Sequence, residues 1–121
     1  MRDVLNTFGN VKISAANTAA AAEYSVDALT ANGLGLVDNL YVKAKIKTKV
    51  PGTTDIVKVI VKHSATDGSF IELAKESFPA RAWALGDELK VKIPAEHLRY
   101  LAVEIEAATT GVEFTSYLER G

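Results

Sequence analysis

Apolar and polar residues alternate along much of the chain, most regularly in its middle third. Between residues 40 and 49 every second position is apolar, namely Leu40, Val42, Ala44 and Ile46. The positions between them carry Tyr41, Lys43, Lys45, Lys47 and Lys49. Because successive side chains of a strand point to opposite faces of a sheet, this period of two predicts a half-buried β-strand.

The same alternation resumes after a short break. From residue 55 to residue 63, three valines occupy one face, and the other face holds Ile56, Lys58, Ile60 and Lys62. The break contains Pro51 and Gly52, a pair that suits the two central positions of a type II turn. The two alternating segments therefore predict a long β-hairpin over residues 40–64.

Alternation returns in several shorter segments, which predict strands at residues 20–28, 70–78, 89–93, 101–106 and 112–119. Loops or turns are predicted between them, at residues 30–35, 66–69, 95–99 and 109–111. A single helical turn is the alternative for residues 95–99. Residues 80–88 are predicted to form a crossing loop in which Trp83 fills one end of the core. Residues 1–12 are predicted to form an arm or a short edge strand. About eight short strands in this spacing indicate an all-β, antiparallel two-sheet sandwich of jelly-roll type, formed by a single domain over residues 1–121.

Composition narrows the class of protein. Apolar residues make up 48% and charged residues 24% of the 121 positions, which is typical of a folded domain with a proper core. The net charge of -1 argues against nucleic acid or an anionic membrane as the main partner. The chain has no cysteine, no apolar leader segment and no long apolar run, so we expect a product of the cytoplasm without disulfides or a membrane anchor.

Residue types that carry chemistry are present but are not arranged in a known motif. His63 and His97 are far apart and lack a ligand-spaced companion, so we expect no metal site. No glycine-flanked serine elbow occurs. The loop carboxylates Asp67, Asp87, Glu88 and Glu96 are expected to form turns rather than an acid–base pair. We therefore expect no catalytic residue, no cofactor and no enzymatic activity.

The lysines of the two predicted hairpin arms form the most conspicuous charge feature. A face of solvated lysines, neutralised across the sheet by Glu104, Glu106 and Glu113, is the simplest interpretation. Docking of an acidic protein partner is the alternative. Nucleic-acid binding is disfavoured because only Tyr41 is interleaved with the lysines, whereas single-stranded nucleic acids need several aromatic platforms.

Several apolar or aromatic residues fall on the outward faces of their strands. These candidate interface residues are Tyr41, Ile56, Ile60, Tyr100 and Tyr117. Tyrosine is favoured at protein–protein interfaces, and several such residues on one sandwich would form an amphipathic patch. The pattern indicates a protein that associates with copies of itself or with a larger protein surface.

The order of these features resembles a family of small jelly-roll capsid decoration (cement) proteins of tailed bacteriophages. An early TAAAAEYSVDAL segment is followed by LYVKAKIKT, a tight turn, IVKVIVKHSATDGSFIEL, ELKVKIP, HLRYLAVEIEA and TTGVEFTSYLE. The segments at residues 57–73 and 92–101 carry the resemblance most specifically. It extends over residues 18–119.

The resemblance implies a non-enzymatic virion protein, made in the bacterial host, that binds the outside of an expanded capsid shell. Such proteins act as dimers or trimers and stabilise the shell by bridging major capsid subunits, with no direct contact to nucleic acid or membrane. A carbohydrate-binding jelly-roll module is the alternative, because Trp83 and the tyrosines could stack on sugar rings. An enzyme on a cupin-like barrel is a third class, which the missing histidine cluster disfavours.

Overall fold

The computed structural model describes residues 7–28, 40–94 and 96–120, and within them the chain forms nine β-strands and no helix. The strands are β1 Thr7–Lys12, β2 Ala20–Ala21, β3 Val26–Asp27, β4 Leu40–Thr48, β5 Val57–Ser64, β6 Ile71–Phe78, β7 Glu88–Lys92, β8 Tyr100–Glu106 and β9 Glu113–Arg120. The prediction of an all-β protein is confirmed. If β2 and β3 are counted as halves of one interrupted strand, the number is the predicted eight.

The strands form two antiparallel sheets in jelly-roll order. Sheet A has the order β1-β9-β4-β7, and sheet B has the order β2-β8-β5-β6, with β3 also paired to β8. The strand pairs are nested along the chain, because β5 pairs with β6, β4 with β7, β2 and β3 with β8, and β1 with β9. A long hairpin rolled up over itself in this way is a jelly roll, so the predicted fold class is confirmed.

The predicted hairpin over residues 40–64 is wrong. β4 lies in sheet A and β5 lies in sheet B, so the connection between them crosses from one sheet to the other. Gly52 does not adopt the positive φ that a type II turn requires, and the turn is instead closed by the Asp55 N–H donating to the Gly52 carbonyl at 3.0 Å. The hairpin of this region is β5–β6, and the predicted turn at residues 66–69 joins its strands.

Hydrogen bonds to a distant turn hold this crossover at one end of the sandwich. The buried Asp55 carboxylate accepts from the Thr109 backbone N–H at 3.0 Å and from the Thr109 hydroxyl at 2.5 Å. The Gly52 N–H donates to the same hydroxyl at 3.1 Å, and the Trp83 indole N–H donates to the Asp55 carbonyl at 3.4 Å. Three loops therefore meet at Asp55, which fixes β4 and β5 in separate sheets.

The core lies between the two sheets, and the predicted inward positions supply it. The alternating residues of β4 are buried, as are Val57, Val59 and Val61 of β5. Phe8 of β1 and Phe114 of β9 are the largest side chains with no exposure. Trp83, 7% exposed, belongs to the same cluster, so the prediction that it fills one end of the core is confirmed.

The early part of the chain differs from its prediction in detail. The strand predicted over residues 20–28 is interrupted, because residues 22–25 lie between β2 and β3. The predicted edge strand is confirmed for Thr7–Lys12, which forms the edge of sheet A. Residues 1–6, the loop predicted at 30–35 and Ala95 of the turn predicted at 95–99 lie outside the described residues.

Candidate interaction surfaces

The structure divides the five candidate interface residues between opposite faces of the sandwich. Tyr41 of β4 and Tyr117 of β9 point outward from sheet A. Ile56, Ile60 and Tyr100 belong to the other side, on β5 and β8 of sheet B or just before them. They therefore form two separate surfaces, which we call the sheet A face and the sheet B face, defined by the outward residues of each sheet.

The two tyrosines of the sheet A face lie close together. Tyr41 stands opposite Glu119, and Tyr117 stands opposite Lys43, so the rings are diagonal neighbours on adjacent strands. Both tyrosines are half-buried, and the Lys90 ammonium lies 4.3 Å from the centre of the Tyr41 ring, within the range of a cation–π contact. The centre of this face is thus amphipathic.

Ile60 points outward from sheet B as predicted, yet only 6% of it is exposed. It lies on β5 between Glu104 of β8 and Lys75 of β6. Long charged side chains cover apolar neighbours with their aliphatic stems. Ile60 therefore offers little area to a partner, whereas Ile56, just before the same strand, is 51% exposed.

Neutralisation of the lysines by cross-strand glutamates is confirmed for the sheet B face. Lys62 pairs with Glu104 at 2.9 Å, and Lys58 pairs with Glu106 at 3.7 Å. These glutamates lie on the opposite side of the molecule from the lysines of β4. The expected single lysine surface does not form, because the hairpin that would join the two sets of lysines is absent.

On the sheet A face, a single lysine of β4 forms ion pairs with two of the three outward glutamates. Lys43 lies 2.9 Å from Glu119 and 3.7 Å from Glu88. The hydrogen bond that Lys43 donates to the Glu119 carboxylate raises the pKa of Lys43 above its usual value. Glu113, which was expected to neutralise the lysines, instead stands opposite Lys12 and Thr48 and accepts a hydrogen bond from the Thr48 hydroxyl at 3.4 Å.

Four exposed apolar side chains were missed by the sequence analysis: Tyr24, Ile71, Leu85 and Leu98, with exposed fractions from 40% to 63%. Leu85 and Leu98 lie in connections between strands. The sequence there does not alternate between apolar and polar residues, so it does not predict which side chains point to solvent. Tyr24 lies in the unforeseen interruption between β2 and β3. Ile71 is the first residue of the edge strand β6, where sheet B covers little of it.

The two histidines lie in the strand-end and turn positions expected of them. The Leu98 backbone N–H donates to His63 Nδ1 at 3.1 Å, and His97 Nδ1 lies 2.7 Å from the Leu98 carbonyl oxygen. Both rings therefore bond to the backbone of one residue. Within the described ranges, no group of three or more histidine, cysteine or carboxylate side chains is placed to hold a metal ion.

The loop carboxylates form local turns, as predicted for Asp67 and Asp87. Asp67 accepts a hydrogen bond from the Ser25 hydroxyl at 2.5 Å. Asp87 accepts from the Ala84 N–H at 2.9 Å and from Arg81 at 3.0 Å. Asp67 is thus bonded by a residue of another loop and Asp87 by residues of its own loop, so the two carboxylates do not come together.

Comparisons with known proteins add no relative. The chain matches none of the protein-family models compared with it, and a search of the curated proteins found no match. No helix long and apolar enough to span a membrane occurs in the part of the chain that the structure describes. The function is therefore argued from the fold, from the resemblance in strand order and from the two outer faces.

Proposed function

We propose that the protein is a non-enzymatic structural protein of a tailed-phage virion that binds the outside of the capsid shell and stabilises it. In this role it bridges neighbouring major capsid subunits as a dimer or trimer, without a cofactor. The jelly-roll order of the strands, β1-β9-β4-β7 over β2-β8-β5-β6, is the observation that supports the proposal most. It is the fold of the decoration proteins that the sequence resembles.

A fold by itself does not define a function, so surface features must carry part of the argument. The sheet A face carries half-buried tyrosines, a residue type enriched at protein–protein interfaces, beside charged side chains that can complement an oppositely charged partner. The two sheets enclose one closely packed core, so the face is presented by a stable support. These features suit a protein that acts by binding a large protein surface.

Mass action explains how such binding stabilises a shell. A protein that binds the expanded lattice and not its dissociated subunits shifts the equilibrium toward the lattice. Each contact can be weak, because oligomerisation and the many identical sites on a shell supply avidity. Neither effect requires a catalytic group or a bound small molecule.

The carbohydrate-binding alternative loses its best candidate residue. Stacking on a sugar ring needs an exposed aromatic face, but Trp83 is 7% exposed and its indole N–H is bonded to the Asp55 carbonyl. The Arg81 guanidinium lies over the ring, 5.0 Å from its centre. Trp83 therefore acts in packing and presents no ring face on which a sugar could stack.

Co-sedimentation with capsids tests the proposal. Shells would be assembled from the major capsid protein encoded in the same phage genome, in compact and expanded forms, and mixed with the purified protein. We expect saturable binding to the expanded form and a higher temperature of shell disruption, with light scattering showing a dimer or trimer of the free protein. No binding to either form would contradict the proposal.

A further inference from the structure

The two outer faces of the sandwich carry different charge. The outward positions of sheet A hold six lysines against three glutamates: Lys12, Lys43, Lys45, Lys47, Lys90 and Lys92 against Glu88, Glu113 and Glu119. The outward positions of sheet B hold three lysines against four carboxylates: Lys58, Lys62 and Lys75 against Asp27, Glu72, Glu104 and Glu106. The chain as a whole has a net charge of -1, so this basic face is a local feature.

The ion pairs widen this difference. On the sheet B face, both lysines of β5 have a carboxylate partner on β8. On the sheet A face, Lys43 contacts both Glu88 and Glu119. Glu88 stands directly opposite Lys45 on the neighbouring strand, yet Lys45 forms no ion pair with any described residue. Lys43 also stands directly opposite Lys90, a like-charge arrangement that opposes folding slightly. The unpaired positive charge is thus concentrated on sheet A.

A groove lies on the same face and contains these free charges. It has a volume of about 670 Å³ and is lined by Lys45 and Lys47, by the polar side chains of Thr7 and Asn10, and by Leu85 at its rim. Lys47 makes one long contact, 3.4 Å, to the Asn10 amide oxygen. Leu85 is 63% exposed. The Thr7 hydroxyl donates to the Ser116 carbonyl, so the groove offers the lysine ammonium groups and the Asn10 amide, with an apolar side chain beside them.

Carboxylate side chains of a protein fit this arrangement better than nucleic acid does. Sequence-independent binding of single-stranded nucleic acid uses exposed aromatic rings on which bases stack. The tyrosines of this face are half-buried, and the Tyr41 ring is occupied by Lys90. Tyrosine is instead enriched at protein interfaces, and lysines around it favour a protein partner that carries the opposite charge.

We propose that the sheet A face, with the groove at Lys45 and Lys47, is the surface that docks on an acidic protein surface. The inference rests on the proposed function, because it assigns this face to the capsid and an acidic outer surface to the shell. The sheet B face, whose charges are balanced within the chain, points away from the shell or toward another copy.

A matched pair of charge reversals tests the assignment. Lys45→Glu changes the sheet A face, and Lys75→Glu makes the same change of charge on the sheet B face. Both lysines are exposed on outward strand positions, and neither forms an ion pair with a described residue. Binding to expanded capsids would be measured at low and at physiological salt, after thermal unfolding has shown that both variants fold.

We expect Lys45→Glu to weaken capsid binding about tenfold and Lys75→Glu to change it less than twofold, with the affinity of the unchanged protein falling as salt rises. Equal effects of the two reversals would overturn the assignment of the face while leaving the proposed function intact. If the unchanged protein binds no capsid, the proposed function fails instead.

Poly-L-glutamate then decides the inference without a capsid. The unchanged protein and Lys75→Glu are expected to bind it at low salt, and Lys45→Glu to bind it several-fold more weakly. Failure of all three to bind would overturn the inference. Binding of duplex DNA with the same total charge would be measured for comparison. Tighter binding of DNA than of poly-L-glutamate would overturn the choice of an acidic protein as the partner.

Discussion

The outer faces of the two sheets share one fold and one core but differ in how their charges are satisfied. On the sheet B face, Lys58 and Lys62 are paired with glutamates of the neighbouring strand, and Ile60 is covered between them. On the sheet A face, Lys45 has no ion pair with a described residue, and a groove opens beside it. A face whose groups bond to each other contributes to stability, whereas a face with unsatisfied groups is available to a partner.

Truncation of the two outward isoleucines of sheet B tests this distinction with the largest expected effect. Ile60→Ala should lower the free energy of unfolding by about 2–4 kcal/mol, because it removes a covered side chain. Ile56→Ala is the matched control and should cost no more than about 0.5 kcal/mol, since half of that side chain is already exposed. Urea unfolding of both variants measures the difference. Equal costs would show that Ile60 is not part of a closed face.

Removal of the buried carboxylate at the crossover tests why the two faces lie on opposite sides. Asp55→Ala leaves the Thr109 N–H and hydroxyl without their acceptor, which should lower the free energy of unfolding by about 2 kcal/mol. Thr54→Ala, an exposed change in the same connection, should lie within about 0.5 kcal/mol of the unchanged protein. A negligible effect of Asp55→Ala in urea unfolding would contradict the role given to this crossover.

Neutral replacements of one lysine on each face test the charge balance itself. Lys62→Met removes the 2.9 Å pair with Glu104 and should cost about 0.5 kcal/mol at low salt, as partly exposed ion pairs do. Lys45→Met removes an unpaired charge from a basic face and should cost nothing or stabilise by a few tenths of a kcal/mol. Both effects should shrink at high salt. A loss with Lys45→Met as large as that with Lys62→Met would show that the faces do not differ.

The smallest expected effect is the pH dependence that Lys43 gives to the stability of the fold. Its pKa is raised in the folded protein by the hydrogen bond with Glu119, so folding is favoured by the charged form. This contribution is fully present below the ordinary lysine value near 10.5 and is lost as the pH rises through the higher folded value. Between pH 8 and 12, the midpoint temperature of thermal unfolding should therefore fall less for Lys43→Met than for the unchanged protein. Lys75→Met should keep the full decline.

The strands and their buried faces could be predicted because alternation reports burial directly. Every second residue of β4 lies in the core, and so do the valines of β5. The partners of these strands could not be predicted in the same way, since alternation says which face is buried and not which strand lies beside it. The jelly roll and the β4–β5 hairpin were in fact incompatible predictions, because the nested pairing of a jelly roll places these strands in different sheets.

The interaction surfaces depended on the same missing information. Lys45 and Lys62 both occupy outward strand positions and look alike in the sequence. They differ because Lys62 pairs with Glu104 of β8, whereas Glu88 of β7, which stands opposite Lys45, contacts Lys43 instead. Ile60 is covered for a related reason, since its neighbours come from β6 and β8 on either side. Such pairings join residues dozens of positions apart, so only the folded chain shows which lysines are free.

The orientation of the protein on a decorated shell tests the central claim most directly. Cryo-electron microscopy of expanded capsids saturated with the protein would show which surface of the sandwich meets the shell. We expect the sheet A face to lie against the capsid, with Lys45 and Lys47 beside carboxylates of the major capsid protein and Tyr41 and Tyr117 within the contact. A shell contact formed by the sheet B face, with the lysines of β4 pointing to solvent, would contradict the account.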